Sequence, residues 1–355
     1  MEKSLLFIPD ISGFTKFVQT TEVEHSQHVI AELLEVLIGA NTEDLELAEV
    51  EGDALFFYKE GNIPSQERLL AQIESMFTAF HSHLKLLEKN RICPCNACAS
   101  APKLELKIIS HCGELQFIEV QGNRKPFGKQ VIESHRLLKN SVESENYALI
   151  SKELAKSIGL PVSYYSKIFK FSEGKDVYDG NNTEYIYAIV DKNQLSLNPY
   201  SKYKKINVAL PPKLLGNKNY TISGESLFEY ISNFKYRHLW VKGEVEFKFD
   251  DSKVNRVGTE HMCVINEKHL KFTTITKEVK KGQYVYGELT TSSPITDELY
   301  QFYIITPITD SSCHLQIEAY WNSKSLIKKF LSAILVKKIC KKGISSSLNA
   351  LSNLK

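Results

Sequence analysis

Two carboxylates stand at positions suited to holding a divalent cation. Asp10 ends an apolar run over residues 5–9 and is followed by a turn at Gly13. Asp53 lies at the tip of a predicted hairpin over residues 45–58. A strand fixes the carboxylate oxygen, and a glycine turn leaves the backbone open to a ligand. Each aspartate is therefore a candidate metal ligand, with a turn-capping carboxylate as the alternative.

Three cysteines at C-x-C-x-x-C spacing form a second candidate metal site. The short turns between Cys93, Cys95 and Cys98 let their sulfurs face one point, as a structural zinc site requires. Cys112, His111 or a partner chain could supply the fourth ligand. The alternative is a loop of reduced thiols. An odd total of seven cysteines and no visible signal peptide indicate a reducing cytoplasm, so we expect no disulfide.

Regular elements must position these residues. Apolar residues at helical spacing predict helices over 25–38 and 65–89. Residues 103–110 and 114–120 read as strands, and they lead to a glycine at position 128.

Together these stretches resemble the catalytic domain of class III nucleotidyl cyclases. The segment 7–15, FIPDISGFT, resembles the first signature of that family, although Ile8 stands at its leading position. Gly52-Asp53-Ala54 before an aromatic strand resembles the second. Gly128, followed eight residues later by Arg136, resembles the third.

The resemblance implies conversion of a nucleoside triphosphate to a 3′,5′-cyclic nucleotide and pyrophosphate by a homodimer. Asp10, Asp53 and the backbone carbonyl of Ile11 would hold two divalent ions, Mg²⁺ or Mn²⁺, that activate the ribose 3′-hydroxyl and clamp the phosphates. Arg136 would stabilise phosphate charge across the dimer interface. A salt bridge on the helix surface is its alternative role.

Three positions bear on substrate and turnover. Ile132 stands where the family carries an asparagine that orients the ribose, and it cannot form a side-chain hydrogen bond. Glu49 and Lys125 occupy the base-reading positions. A glutamate could accept from the guanine N1 and N2 protons while a lysine donates to O6, but a salt bridge between the two would block the base pocket.

Length and composition predict two domains, and the resemblance to class III cyclases implies the α+β class. The chain has 355 residues, of which 43% are apolar. We expect a ferredoxin-like cyclase domain over residues 1–190 and a polar linker over 191–205. A net charge of +2 creates no strong field toward nucleic acid or membranes. No apolar run reaches membrane-spanning length.

Residues 206–355 have a different pattern. They predict a short helix at 227–232, six strands between 241 and 321, and one long helix over 323–351. This order resembles the START-like (SRPBCC, polyketide cyclase-type) superfamily with its helix-grip fold. Such folds often enclose an apolar cavity, so the resemblance implies an apolar small-molecule ligand. Filling an ordinary core is the alternative for the aromatic residues, and we expect the lysines of the last helix to form a solvated face.

Three functions are open from the sequence. The first is a cytoplasmic signalling protein that binds nucleotide and metal without turnover. The second is an active guanylate-type cyclase. The third is a small-molecule or lipid carrier on a cyclase-like dimerisation scaffold. We adopt the first, because the paired carboxylates occur together with Ile132.

Overall fold

The chain divides into two compact units. The computed structural model describes residues 2–178, 180–199, 206, 210–241, 246–265 and 268–354. The first unit comprises Met1–Leu86 and Ser100–Tyr200, and the second comprises Leu87–Ala99 and Ser201–Lys355. Residues 87–99, which the sequence analysis counted with the cyclase domain, thus group with the second unit.

Helices and strands alternate through the first part of the chain. The strands are β1 (Ser4–Ser12), β2 (Glu46–Glu51), β3 (Ala54–Lys59), β4 (Glu105–Gly113), β5 (Gln116–Val120), β6 (Asn123–Phe127), β7 (Tyr147–Ser151), β8 (Ser172–Tyr178) and β9 (Asn181–Ile189). The helices are α1 (Phe14–Thr20), α2 (Val23–Gly39), α3 (Gln66–Asn90), α4 (Asn96–Ser100), α5 (Lys129–Leu137) and α6 (Lys152–Ile158).

The first unit is built on a seven-stranded sheet with β1 near its centre. Its strand order is β2-β3-β1-β4-β7-β9-β8, and β5 and β6 form a separate hairpin. Leu5 to Ile8 are fully buried, which explains why β1 reads as a continuous apolar run rather than an alternating one. Leu6 and Ile8 pack on the sheet face that carries α5, through Leu137. Asp10 continues this alternation, so it projects from the same face.

Two glycines shape the backbone around the aspartates. Gly13 follows β1 with a φ of 86°, and Gly52 turns β2 into β3 with a φ of 73°. Both values lie in the left-handed region, which costs glycine little. The sequence therefore places a glycine at the turn beside each candidate carboxylate.

The second unit contains a seven-stranded antiparallel sheet, and a long helical segment ends the chain. The strands are β10 (Leu214–Tyr220), β11 (Glu246–Lys248), β12 (Glu260–Ile265), β13 (Lys268–Ile275), β14 (Tyr284–Thr290), β15 (Glu298–Thr309) and β16 (Ser312–Asn322), in the order β10-β16-β15-β14-β13-β12-β11. The helices are α7 (Gly224–Ser232), α8 (Arg237–Trp240), α9 (Leu326–Leu331) and α10 (Lys337–Ala350), with a π-helical turn over Ser332–Val336.

One face of this sheet carries the core of the second unit. Leu227 and Phe228 of α7, Trp240, and Ile344 of α10 are buried against it. Gly216 in β10 permits the approach of α10, because a Cβ atom there would lie 2.4 Å from Ile344 Cγ2.

The predicted α+β class is confirmed, and most predicted elements exist with shifted ends. Strands β6, β8 and β10 were not predicted. The single long helix predicted over 323–351 contains the π turn. Residues 200–205 of the predicted linker and 242–245 of the strand predicted after Trp240 lie outside the described residues. Within the part of the chain that the structure describes, no helix is both long and apolar enough to cross a bilayer.

Candidate functional site

Asp10 and Asp53 meet at one end of the central sheet. Asp10 is opposite Ala54 in the antiparallel pairing of β1 with β3, so Asp53 follows as the adjoining turn residue. The amide of Ile11 donates to the carbonyl of Asp53 over 3.0 Å. Two carboxylates separated by 43 positions in the sequence thereby become neighbours.

A lysine on β4, which pairs with the other edge of β1, lies beside Asp10. Lys107 of β4 is directly opposite Asp10, and its Nζ lies 3.6 Å from Asp10 Oδ1. Tyr147 is paired with Lys107 on the next strand, β7. Sequence reasoning missed Lys107, because only the register of β1 with β4 brings it to Asp10.

Burial makes the Asp10 carboxylate costly to ionise. Burial is the largest cause that raises the pKa of Asp10 to about 6; Lys107 acts in the opposite direction, and the charge of Asp53 adds to the rise. Burial also raises the pKa of Asp53. One lysine therefore does not compensate the negative charge of the pair, and a divalent cation would lower the cost of keeping both aspartates ionised.

The two base-reading candidates form an ion pair. Lys125 Nζ lies 2.9 Å from Glu49 Oε2, and the two side chains are 45% and 47% exposed. This contact joins β2 to the β5–β6 hairpin. It is the salt bridge that the sequence analysis weighed against guanine recognition.

Helix α5 is fixed to the strand before Asp53. His135 Nε2 lies 2.9 Å from Glu51 Oε1, and its ring packs edge-on against Phe56. Arg136 follows His135 and is half-buried. Ile132 is 54% exposed on the same helix. The sequence analysis did not predict the His135–Glu51 contact, which connects α5 to the Asp53 turn.

The sulfurs of the cysteine motif converge as its spacing predicts, whereas Cys112 belongs to the first unit. The sulfurs of Cys93, Cys95 and Cys98 lie within 4.8 Å of one another. Cys112 lies in β4 of the first unit, where its Sγ is 3.7 Å from Ser157 Oγ. His111, the other candidate, contacts Ser151 Oγ and Gln130 Oε1, each at 2.8 Å.

A buried charged cluster lies inside the second unit. The guanidinium of Arg237 pairs with the carboxylate of Glu288, and Tyr286 donates to Glu288 over 2.6 Å. His261 Nε2 lies 3.4 Å from the same oxygen. Burial would raise the pKa of Glu288, but Arg237 and His261 outweigh it and hold that pKa well below its usual range. No sequence motif predicted this cluster.

Comparisons with known proteins cover parts of the chain. Residues 30–147 match a family described as a protein of unknown function, DUF2652. The uncharacterized protein Rv2561/Rv2562 of Mycobacterium tuberculosis is 31% identical over 129 residues, which are 36% of this chain and 60% of that protein. The chain thus spans less than two thirds of this relative's length.

Solved structures similar to the chain include adenylyl and guanylyl cyclase domains. The adenylyl cyclase CyaB from P. aeruginosa is 18% identical, covers 54% of this chain and 95% of its own, and gives a TM-score of 0.40. The guanylate cyclase domain of RhGC from Catenaria anguillulae, in complex with GTP, is 14% identical, covers 54% and 98%, and gives 0.38.

Proposed function

We propose that the first unit is a class III cyclase-like domain that binds a nucleoside triphosphate and a divalent metal, with little or no turnover. The observation that carries this proposal is the meeting of Asp10 and Asp53 at the end of β1, where burial raises the pKa of both. Carboxylate oxygens are the ligands that Mg²⁺ and Mn²⁺ prefer. The bound cation would supply charge for the phosphates.

The metal site takes one divalent ion rather than two. Asp10 and Asp53 offer a carboxylate each, but the Lys107 ammonium already lies 3.6 Å from Asp10. A second cation beside Asp10 would experience repulsion from Lys107. Lys107 therefore contributes the positive charge that a second ion would contribute in the two-ion arrangement.

The Glu49–Lys125 pair is weak enough for a guanine base to displace it. Both side chains are nearly half exposed, and an exposed ion pair of this kind contributes only about 0–1 kcal/mol. A base that replaces the pair with its own hydrogen bonds loses little. This observation favours GTP as the ligand, and it is the specific support for the alternative function, an active guanylate-type cyclase.

Ile132 is the reason to expect little turnover. An isoleucine cannot hold the ribose by a hydrogen bond, so the 3′-hydroxyl lacks one of its positioning contacts. Misplacement of a reacting group by about 1 Å can reduce a rate by roughly 100-fold. Binding without efficient cyclisation follows.

Nucleotide binding and product formation test this proposal together. We expect Mn²⁺-dependent binding of GTP, stronger than that of ATP, in calorimetry. Binding should be lost in an Asp10→Ala, Asp53→Ala double variant and kept in Asp44→Asn, which changes an exposed aspartate. Absence of metal-dependent binding of any nucleotide would refute the proposal, whereas rapid formation of a cyclic product would establish the active cyclase.

Removing the lysine charge is expected to strengthen metal binding. In Lys107→Met, the repulsion between the ammonium and the cation disappears, which is worth about 1–2 kcal/mol at this partly exposed site. We expect Mn²⁺ to bind about tenfold more tightly, and its stoichiometry to rise from one ion to two. Electron paramagnetic resonance titration measures both quantities. Weaker Mn²⁺ binding in the variant would contradict the assigned role of Lys107.

We further propose that the first unit forms a homodimer through the surface around α5 and β6. Phe127 and Ile132 are each 54% exposed, and Val50 is 51% exposed. Large exposed apolar side chains near one another are typical of interaction surfaces.

A charge in this surface is expected to separate the dimer. Phe127→Asp should lower the molar mass in multi-angle light scattering from dimer to monomer, because a buried unpaired carboxylate opposes association. Val177→Asp is the matched control, since Val177 is 63% exposed on β8 at the other edge of the sheet. If both variants stay dimeric, the interface lies elsewhere.

For the second unit we propose a helix-grip module that binds a small apolar or amphipathic molecule. A cavity of about 610 Å³ lies between residues 89–94 and the connection from β13 to β14. This volume is within the range of ligand pockets. Ile92, Val257 and Val279 line it together with Lys89 and Lys277. Native mass spectrometry should detect a copurified ligand. If none is found and a fluorescent fatty acid does not bind either, this module is not a carrier.

A further inference from the structure

We infer that Cys93, Cys95 and Cys98 bind a zinc ion that stabilises the segment joining α3 to α4. This site is separate from the Asp10 site and uses different chemistry. Thiolates are soft ligands that select zinc over the Mg²⁺ or Mn²⁺ expected at two carboxylates.

The geometry of the three sulfurs carries this inference. They lie within 4.8 Å of one another, close to the separation of sulfurs around a tetrahedral zinc, whose Zn–S bonds are about 2.3 Å. None of the seven cysteines of the chain, all of which the structure describes, is in a disulfide. Three converging thiols cannot be satisfied by one disulfide, but they can share one metal.

The local backbone also suits a metal-binding turn. The amide of Cys98 donates to the Cys95 sulfur over 3.4 Å. Such a bond partly neutralises a thiolate and fixes its direction, as contacts behind a metal ligand do. Pro94 separates the first two cysteines, and its fixed φ reduces the freedom that this turn loses on folding.

The position of the motif shows what the zinc would stabilise. Cys93 and Cys98 are 5% and 8% exposed in the core of the second unit, and Ile92 packs against the same core. The amide of Val257 donates to the carbonyl of Asn90 over 2.9 Å. Apart from α4, residues 91–99 have no regular structure. A metal crosslink would stabilise such a short irregular segment in its folded conformation.

Metal content and ligand type test the inference on the full chain. Purified protein should contain about one zinc per chain by mass spectrometry of the metals. X-ray absorption at the zinc edge should show three sulfur neighbours and one nitrogen or oxygen. Cys95→Ser should lose the zinc, while Cys340→Ser, a control at an equally half-buried cysteine, should keep it.

Cobalt substitution keeps the test decisive if zinc is lost in purification. Co²⁺ added to the reduced apo protein should give thiolate charge-transfer absorption in the wild type and in Cys340→Ser, but not in Cys95→Ser. Iron in place of zinc, or absence of both zinc and the cobalt absorption from folded wild-type protein, would overturn the inference. The Asp10→Ala, Asp53→Ala variant should retain its zinc, which separates this result from that of the proposed function.

A second, independent inference concerns the helical segment 324–342. We propose that it binds an anionic lipid surface. Leu326, Ile327 and Phe330 are 81%, 72% and 69% exposed, and Ile334 is 55% exposed. After the π turn, residues 337–342 expose Lys337, Lys338, Lys341 and Lys342 together with Ile339, which is 63% exposed.

The positive charge of this segment favours an anionic membrane over a second copy of the chain. Residues 323–355 contain no Asp or Glu, so pairing of this segment with a second copy of itself would bring like charges together. Exposed apolar residues followed by a group of lysines suit a helix that lies in the interface of an anionic membrane. The sequence predicted a solvated face of lysines on the last helix. The exposed apolar side chains make the surface of this segment apolar as well as basic.

Vesicle sedimentation of the full chain tests this proposal. We expect binding to vesicles of phosphatidylcholine with phosphatidylglycerol and little binding to phosphatidylcholine alone. Replacing the four lysines by Gln should weaken binding by at least about 100-fold. Phe330→Asp should also abolish it, whereas Ile308→Asp, at a residue that is 57% exposed on β15, should not. Equal binding to both kinds of vesicle, or no binding to either, would overturn the proposal. A wild-type dimer that dissociates in Phe330→Asp would also overturn it, because the apolar residues would then belong to a protein interface.

Discussion

Replacement of Arg237 by Met is expected to destabilise the second unit by about 3–5 kcal/mol. Arg237 and Glu288 are 5% and 4% exposed, so the variant leaves a carboxylate in the core without its cation. Tyr286 and His261 remain beside Glu288, but neither carries the permanent charge of a guanidinium. The penalty is therefore that of an unpaired buried charge, not the small value of a surface ion pair.

Denaturant unfolding, followed by the fluorescence of Trp240 and Trp321, which both belong to the second unit, measures this effect. The control is Lys271→Met, which removes the 2.8 Å pair with Glu260, whose members are more than half exposed. We expect that variant to lose less than about 1 kcal/mol. The double variant Arg237→Met, Glu288→Leu should recover most of the loss, because an apolar pair of similar volume carries no desolvation cost. A loss below about 1 kcal/mol in Arg237→Met would contradict the assignment of a buried ion pair.

The pH dependence of the stability of Arg237→Met provides an independent test of the buried ion pair. In the wild type, the pKa of Glu288 is lower in the folded state than in the unfolded chain. Its contribution to stability is therefore fully present above the unfolded-state pKa and is lost as pH falls through the folded-state pKa. In the variant, burial without the guanidinium raises that pKa. The stability gap between wild type and variant should therefore narrow as pH decreases, because the variant gains by protonating Glu288.

The sequence predicted the local parts of the candidate site and not its long-range parts. Asp10 and Asp53 each stand beside a glycine turn, so local chemistry identified them. Lys107 could be placed only through the register of β1 with β4. Arg237 and Glu288 are 51 positions apart, and an arginine before a tryptophan gives no sign that it is buried. Contacts set by strand pairing and packing have no pattern in a single sequence.

Glycine explains why two of the three unpredicted strands were missed. Strands β8 and β10 are polar and each contains a glycine, at Gly174 and Gly216, which weakens the strand pattern. A Cβ at Gly174 would lie 2.1 Å from the Tyr185 ring, and one at Gly216 would lie 2.4 Å from Ile344. The residues that reduce strand propensity are thus those that allow a large neighbour to cover the sheet.

Replacement of Asp10 by Asn is expected to stabilise the protein at pH 7.5 when Mn²⁺ is absent. Burial raises the pKa of Asp10 from 3.8 to about 6, so the folded state holds its proton more tightly than the unfolded chain does. Stability then falls as pH rises from 4 to 6, and the full cost applies above that window. The separation of the two values, which already includes the opposing effect of Lys107, corresponds to roughly 3 kcal/mol as an upper estimate.

Thermal unfolding of wild type and Asp10→Asn, with and without Mn²⁺, measures the effect. Asp10→Asn should have the higher Tm without metal at pH 7.5, and the difference should vanish as pH falls to about 3, below both pKa values, where the carboxyl is protonated in both states. Mn²⁺ should raise the Tm of the wild type only. Asp176→Asn is a control for which we expect a change of stability of opposite sign. Burial would raise the pKa of Asp176, but hydrogen bonds from Tyr185 and Ser141 hold that pKa below its usual value. Loss of the carboxylate in this variant should therefore lower stability. If Asp10→Asn is instead less stable than the wild type at pH 7.5, Lys107 alone compensates the buried charge, and the electrostatic reason for a divalent cation at this site disappears.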